Sequence, residues 1–191
     1  MRTHVQTLTA ALIACGLAGA APAASLGGAT LPDTYPAVGQ TLVLNGIGLR
    51  TLTIFNVKVY VAGLYLAKPS HEAAEILGST TPKVLVLQFL HTGTKAEVEA
   101  QFREGEQNNC GAGQCAPEDK PVFDALLRDI PAVAVGDTFT FILDGGGTVL
   151  VNNRAISRFT SRSLTRQLLA GFIGDHPPST DLRQHLLGLA R

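Results

Sequence analysis

Four strand-forming runs in the first half of the chain restrict its possible folds more than any other feature. Each run is rich in Val, Leu, Ile, Phe and Tyr, and they cover residues 41–45, 49–56, 57–67 and 83–91. The same pattern returns at Phe139, Phe141 and Leu143, which alternate with Thr and Ile before a Gly-rich turn and so predict a hairpin with residues 148–151. Strands are therefore grouped with strands, which favours an antiparallel sheet.

Helix signals are grouped as well. Capping residues or a 3–4 spacing of apolar residues predict helices at 71–77, at 94–106, after Pro117, from Ile156 onward and around 182–187. Residues 24–40 are rich in Gly, Ala and Pro and predict an irregular N-terminal arm. The expected fold class is α+β, with an antiparallel sheet that helices cover on one face.

The N-terminal residues have the pattern of a secretory signal peptide. A basic start precedes an uncharged apolar stretch at 8–20, and Ala21-Pro22-Ala23 is a small-residue cleavage site. The stretch is too short for a transmembrane segment, which needs ~20 apolar residues. The sequence thus predicts a signal peptide at 1–23, a single domain at 24–191 and a periplasmic protein. The alternative is a lipoprotein attached at Cys15, although Cys15 lies inside the apolar stretch and not at its end.

Two cysteines remain after the predicted signal peptide. Cys110 and Cys115 lie in a Gly-rich segment, and in an oxidising compartment such a pair is typical of a disulfide that closes a small loop. A C-x4-C pair without two further ligands is a poor zinc site, and catalytic redox pairs more often have the spacing C-x-x-C. We expect a structural disulfide.

Composition and absent motifs exclude several classes of protein. The chain of 191 residues has 15 Lys and Arg against 15 Asp and Glu, so it lacks the basic excess of a nucleic-acid binder. Its 46% of hydrophobic residues is too high for a disordered chain. It contains no G-x-S-x-G elbow, no Walker loop, and neither H-E-x-x-H nor C-x-x-C-H. Gly46-Ile47-Gly48 lacks the third glycine of a dinucleotide-binding motif and is interpreted as a turn.

Basic residues without acidic neighbours mark one candidate binding site. No acidic residue lies between Asp33 and Glu72, whereas Arg50 and Lys58 fall in that segment. If the segment is extended without a bulge, Arg50, Lys58 and Tyr60 share one otherwise apolar face of the sheet. An arginine on such a face needs an anion, and either a distant carboxylate of the chain or the carboxylate of a ligand can supply it.

Histidines are the candidate metal ligands. His91 closes the run at 83–91 in register with its apolar residues, so it could bind a metal, transfer a proton or only cap the sheet. His176 lies in a Pro-rich turn and is a weaker candidate. Met1 is the only methionine, which leaves a haem without a methionine axial ligand.

Four arginines recur every four residues near the C-terminus. They are Arg154, Arg158, Arg162 and Arg166, and no acidic residue lies between Asp144 and Asp175. On the predicted long helix they would form one stripe. Such a stripe is typical of a solvated helix face, and the alternative is contact with an anionic surface.

Several motifs resemble those of the chalcone isomerase-like family, most closely its bacterial exported branch. They are the turn Gly46-Ile47-Gly48-Leu49-Arg50, the strand 57–66 (V-K-V-Y-V-A-G-L-Y-L), the Gly-rich hairpin at 144–152 and the closing helix at 179–188. The resemblance covers nearly all of 38–190. It implies an open-faced β-sandwich, in which a curved antiparallel sheet carries helices on one side and a ligand cleft lies between them.

The resemblance also bears on function. In the plant enzymes of the family an Arg, a Thr and a Tyr serve an intramolecular cyclisation; Arg50 matches the first, but Tyr60 occupies the Thr position and Ala96 the Tyr position. The K-V-Y-x-A-G form is instead similar to the fatty-acid-binding members, in which the Arg and this Tyr hold a carboxylate. Arg103 falls near another position that lines the cleft of the family.

Three hypotheses follow. The first is a non-catalytic periplasmic binding protein for an amphipathic carboxylate, with Arg50, Tyr60, Lys58 and Arg103 as binding residues. Its ligand is either a long-chain fatty acid or haem b, with His91 or, less favourably, His176 as axial ligand. The second is an enzyme, either an isomerase or a haem-dependent redox catalyst, and the missing tyrosine at Ala96 argues against isomerase activity. The third is an interaction module whose cleft is filled by its own side chains.

Overall fold

The strand-forming runs of the sequence become consecutive neighbours in one antiparallel sheet. The computed structural model describes residues 23–52, 55–111 and 115–190. Cys15 and all of the predicted signal peptide except its last residue, Ala23, therefore lie outside the described residues. Seven strands follow one another in chain order, and each pairs antiparallel with the next. They are β3 (Thr34–Ala37), β4 (Gln40–Leu52), β5 (Val57–Leu66), β6 (Lys83–Phe89), β7 (Thr138–Leu143), β8 (Gly147–Val151) and β9 (Arg154–Phe159).

One face of this sheet is covered by helices. They are α1 (Ala73–Gly78), α2 (Lys95–Cys110), α3 (Lys120–Asp129), preceded by a 3₁₀ turn at Pro117–Asp119, α4 (Arg162–Ile173) and α5 (Thr180–Leu186). Alternate strand residues such as Leu64, Leu85 and Phe141 point to this side and share one core with the apolar faces of the helices. The predicted α+β class with helices on one face is confirmed. Within the described ranges, no helix combines the length and apolarity that a transmembrane segment requires.

The other face of the sheet carries a hairpin that the sequence pattern does not predict. Residues 24–40, predicted as an irregular arm, instead form β1 (Ala23–Leu26), β2 (Ala29–Pro32) and β3. In β2 the burial alternates, with Ala29 and Leu31 inside, and these side chains pack with Val61 and Tyr65 of the sheet. The Tyr65 hydroxyl donates to the carbonyl oxygen of Pro32 at 2.9 Å, which fixes the hairpin. Each of these strands has only four residues, so the alternating pattern of a strand cannot be recognised in a segment rich in Gly, Ala and Pro.

Gly46 and Gly48, which were expected to form a turn, instead lie inside β4. Both face α5. A Cβ atom on Gly46 would overlap the carbonyl oxygen of His185 and lie 2.7 Å from that of Leu186. A Cβ atom on Gly48 would lie 2.8 Å from Cδ1 of Leu182. The two glycines are therefore required because the backbone of α5 rests directly on the strand.

The helix predicted from Ile156 begins later. Residues Arg154–Phe159 form β9, and α4 begins at Arg162 with the Ser161 hydroxyl accepting a hydrogen bond from the Leu164 amide at 3.1 Å. Asn152 and Asn153 adopt φ values of 49° and 64°, as a two-residue hairpin turn demands, and this turn pairs β9 with β8. The four arginines consequently do not share one helix.

The predicted capping box is formed at the start of α2. The Thr94 hydroxyl accepts from the Glu97 amide at 3.3 Å, and the Glu97 carboxylate accepts from the Thr94 amide at 2.8 Å. Replacing Thr94 with alanine is expected to lower the free energy of unfolding by about 1 kcal/mol, because one helix amide loses its acceptor. Urea denaturation measures this change, with Thr92→Ala at the exposed neighbouring position as the control. Equal stability of the two variants would contradict the assignment.

Candidate functional site

The pairing of β4 with β5 places Arg50 directly opposite Tyr60. Side chains at directly opposite positions lie on the same face, with Cβ atoms ~5 Å apart. The next pair along the strands is Thr51 with Lys58, so Val59 is an extra, bulged residue. The bulge turns Lys58 to the opposite face, where it is exposed. The expectation that Lys58 joins Arg50 and Tyr60 is therefore corrected, because it assumed a strand without a bulge.

Arg50 has no acidic partner among the described residues. Its Nη1 donates to the carbonyl oxygen of Thr51 at 2.7 Å, and none of the ion pairs in the described part of the chain includes it. A guanidinium group has five N–H donors, so most of its capacity is unused by the protein. Of the two anions considered from the sequence, the distant carboxylate is not found in the described ranges. A ligand carboxylate is the remaining candidate.

Tyr60 presents a neutral hydroxyl beside this guanidinium. Its ring is buried, with the centroid 5.8 Å from that of Phe89 in an edge-on arrangement. Burial raises the pKa of Tyr60 strongly, and the positive charge of Arg50 lowers it by less. The hydroxyl therefore keeps its proton at physiological pH. No side-chain hydrogen bond within the described ranges involves this hydroxyl, so it is available as a donor to a bound group.

Arg50 and Tyr60 border a cavity of about 130 Å³ between the sheet and the helices. Strands β4, β5 and β6 form its floor, and α2, α3, α4 and the α4–α5 loop form its walls. The wall is largely apolar and is formed by side chains that include Leu87, Phe89, Val98, Phe123, Leu168 and Phe172. A pocket with apolar walls and a few polar groups at one point is the common form of a small-molecule site.

Two glutamates of α2, Glu104 and Glu106, also border this cavity. Burial raises the pKa of Glu106, and the positive charge of Lys120, whose Nζ lies 3.9 Å from Glu106 Oε1, lowers this pKa by less. When ionised, these groups repel an anionic ligand. The only cation on the cavity wall in the described ranges, apart from the titratable His176, is Arg50. A bound carboxylate is thus directed towards Arg50 and away from α2.

The structure places the two candidate histidines differently from expectation. Strand β6 ends at Phe89, so the alternation that puts Phe89 in the cavity does not extend to His91, which is exposed and does not line the cavity. His176, the weaker candidate, lies at the cavity edge in the α4–α5 loop. No cluster of three or more metal-binding side chains exists within residues 23–52, 55–111 and 115–190.

Arg103 and Ala96 of α2 do not border the cavity. The Arg103 guanidinium donates to the Asp124 carboxylate at 2.9 Å, which joins α2 to α3 on the outer side. Arg103 is therefore paired with a carboxylate of the protein, which it shares with Lys120. Ala96 is exposed in the first turn of α2. The expectation that Arg103 lines the cleft is corrected, since the helix turns this residue towards α3.

The predicted disulfide between Cys110 and Cys115 is present at the end of α2. Beside it, the buried Asn109 side chain donates to the carbonyl oxygens of Gly105 at 2.8 Å and His176 at 3.4 Å. These bonds connect the end of α2 to the α4–α5 loop at the cavity edge. The Asn109 side chain thus stabilises one border of the cavity.

Replacing Tyr60 with phenylalanine distinguishes a role of its hydroxyl in ligand binding from a role in the stability of the fold. The hydroxyl has no hydrogen-bond partner within the described residues, so its loss is expected to leave the free energy of unfolding unchanged or slightly higher. If the hydroxyl donates to a ligand carboxylate, the dissociation constant of that ligand rises by about 10-fold. Urea denaturation and a fatty-acid titration of the same sample measure both quantities. A large loss of stability with unchanged affinity would contradict this role.

The sequence does not identify the residues of α2 and α4 that line the cavity as functional residues. Leu168 and Phe172 belong to the 3–4 pattern that predicted the helix, but this pattern is the same for a core-facing helix and a cavity wall. Gln101, Asn108 and Gln167 also border the cavity, and no local motif distinguishes them from surface polar residues.

Comparisons with known proteins agree with this fold. A family model described as chalcone isomerase-like matches residues 23–188. The chain is similar to the crystal structure of a fatty-acid binding protein from Arabidopsis thaliana, with a TM-score of 0.66 and 20% sequence identity over 87% of this chain and 96% of that chain. No curated protein matches the sequence. At this identity the structural likeness establishes the fold, a curved antiparallel sheet with helices on one side.

Proposed function

Because the chain belongs to the chalcone isomerase-like family, we propose that it is a non-catalytic binding protein for an amphipathic carboxylate, with a long-chain fatty acid as the preferred ligand. One observation carries the proposal: Arg50 lacks an acidic partner in the described residues and stands opposite Tyr60 at an apolar cavity. The guanidinium and the hydroxyl together can bind the two oxygens of one carboxylate.

The acyl chain would occupy the space between the sheet and helices α2 and α4. The cavity of about 130 Å³ is smaller than the ~300–1,000 Å³ of typical ligand pockets, so the walls must separate when the ligand enters. A flexible acyl chain can follow side-chain displacements along the apolar wall. The binding of fatty acid by the similar Arabidopsis protein supports this choice of ligand.

Haem b is the second candidate ligand, and His176 is the observation in its favour. This histidine lies at the edge of the cavity that contains Arg50, so an imidazole and a cation for a propionate border the same space. The rigid macrocycle requires a wide slot, which a cavity of this volume provides less readily than room for an acyl chain. For this reason we place haem second.

An isomerase is a less favoured proposal. In the resemblance drawn from the sequence, the position of the catalytic tyrosine falls on Ala96, and Ala96 is exposed outside the cavity. Arg50 and Tyr60 are hydrogen-bond donors, and neither is suited to remove a proton from a phenol at neutral pH. Turnover of a chalcone by the purified protein would overturn this part of the proposal.

We also propose that the protein is exported to the periplasm. The N-terminal sequence has the pattern of a signal peptide. The Cys110–Cys115 disulfide supports an oxidising compartment, since disulfides persist there. Fractionation of cells that express the full chain tests this location.

Analysis of bound molecules tests the choice of ligand. The protein is purified from the periplasm without detergent, its visible spectrum is recorded before and after addition of hemin, and its lipids are extracted for mass spectrometry. We expect fatty acid in the wild-type extract, much less in the extract of Arg50→Gln, and no Soret band. A Soret band that weakens in His176→Ala would replace fatty acid with haem. Absence of both ligands, before and after soaking, would refute the proposal.

A further inference from the structure

A second, larger cavity lies on the other side of α4. Its volume is about 740 Å³, and its walls come from α1, α4, the segment after α1 and the adjoining ends of β6 and β7. Apolar residues such as Ile76, Leu143 and Leu169 form part of the surface. Gln167 borders both cavities, but neither Arg50 nor Tyr60 reaches this one. It is therefore a separate space with its own chemistry.

A buried lysine lies on the wall of this second cavity. Lys83 is only 4% exposed, and it points to the helix side of the sheet, like Leu85 two residues later. Its Nζ donates to the carbonyl oxygens of Ser79 and Thr81, each at 2.8 Å, which leaves one of three N–H donors. No ion pair of the described residues includes Lys83. A buried cation without a carboxylate favours an anion beside it.

Two arginines line the same cavity from the first two turns of α4. Arg162 and Arg166 are exposed, and no ion pair within the described part of the chain includes either. The first turn of α4 contains no acidic residue. A cation in the first turn of a helix, such as Arg162, is unfavourable, because the helix dipole is already positive there. A bound anion would compensate both the dipole and the two guanidinium groups.

We propose that this second cavity binds an oxyanion of the phosphate class, held between Lys83, Arg162 and Arg166. Asp175 is the only acidic residue on the cavity wall in the described ranges, so cations outnumber anions there. The phosphate can be free or can belong to the headgroup of an amphiphile, whose tail would contact the apolar part of the wall. This site does not depend on the fatty-acid proposal, since it shares neither Arg50 nor Tyr60.

Calorimetric titration of the full chain tests the proposal. The probes are inorganic phosphate, dodecyl phosphate and neutral dodecyl maltoside, all at constant ionic strength and with the detergents below their micelle concentrations. The test variant is R162Q/R166Q. The control is R154Q/R158Q, which removes the same charge from exposed positions on β9 outside both cavities. Repeating the titrations in Arg50→Gln excludes binding at the first cavity.

We expect phosphate-bearing probes to bind, and R162Q/R166Q to weaken them about 10-fold or more while the control does not. Binding of inorganic phosphate would identify a free anion as sufficient, whereas binding of dodecyl phosphate alone would identify an amphiphile. Lys83→Met is expected to lose binding as well, and Lys83→Arg to retain part of it. Equal losses in the test and control variants, or no binding of either phosphate probe, would overturn the proposal.

Discussion

Replacing Arg50 with glutamine is expected to raise the dissociation constant of palmitate about 10- to 100-fold. Glutamine keeps a hydrogen-bond donor and much of the side-chain length but removes the positive charge. A charged hydrogen bond contributes about 1.5–3 kcal/mol, which corresponds to this range of affinity. The loss is expected to be specific to binding, because the described residues hold no carboxylate that Arg50 must neutralise. A fluorescence competition titration measures the change.

Arg128→Gln is the matched control for this variant. It removes the same charge from an exposed position of α3 that borders neither cavity and forms no ion pair in the described part of the chain. We expect its affinity for palmitate to equal that of the wild type. If Arg50→Gln and Arg128→Gln bind equally well, Arg50 does not hold the carboxylate.

Replacing Gly46 with alanine is expected to cause a large loss of stability. The new Cβ atom would overlap the carbonyl oxygen of His185, and a backbone atom cannot turn away as a side chain can. Relief requires α5 to move from β4. We expect the free energy of unfolding to fall by about 3 kcal/mol or more, as measured by urea denaturation.

Two other glycines give this prediction a graded control. At Gly48 the nearest atom to an added Cβ is a leucine side-chain carbon at 2.8 Å, which can shift, so Gly48→Ala is expected to lose less stability. At Gly78 nothing lies within 4 Å, and Gly78→Ala is expected to leave stability unchanged or slightly higher. A different order of the three variants would contradict the close contact of α5 with β4.

The displacement of α5 would also affect the cavity. Arg183 of α5 donates to the carbonyl oxygen of Ile173 at the end of α4 at 3.0 Å. The loop between these helices contains His176 and borders the cavity. The glycines of β4 therefore support the site through the position of α5.

The Arg50–Tyr60 pair could be predicted from the sequence, whereas Lys58 could not be excluded. An uninterrupted strand of period two puts all three on one face. The bulge at Val59 depends on how β5 pairs with β4. No residue near Val59 indicates in the sequence that one residue of β5 lacks a partner in β4. Once the bulge is known, the exposure of Lys58 follows at once.

The histidines show the same limit at the end of a strand. Alternation predicts the direction of a side chain only while the strand continues, and β6 ends two residues before His91. His176 lies in an irregular segment, where no periodicity gives a direction. Its place at the cavity depends on the tertiary contact between α2 and the α4–α5 loop, which Asn109 makes.

The misplaced start of α4 has a different origin. Apolar residues from Ile156 to Phe172 fit a helical spacing, but Asn152-Asn153 is a two-residue turn signal that precedes them. Pairing with β8 then takes residues Arg154–Phe159 into the sheet. The turn at Asn152-Asn153 therefore predicts the strand β9, and it overrides the helical spacing of the residues that follow.

The central claim is that Arg50 and Tyr60 recognise a carboxylate at the cavity. The most direct test compares the dissociation constants of palmitate and hexadecanol, which have tails of the same length but differ in charge. The proposed site predicts that the wild type binds palmitate about 10-fold or more tightly than hexadecanol, and that Arg50→Gln removes this difference. Equal affinities of the wild type for the two compounds would contradict the claim.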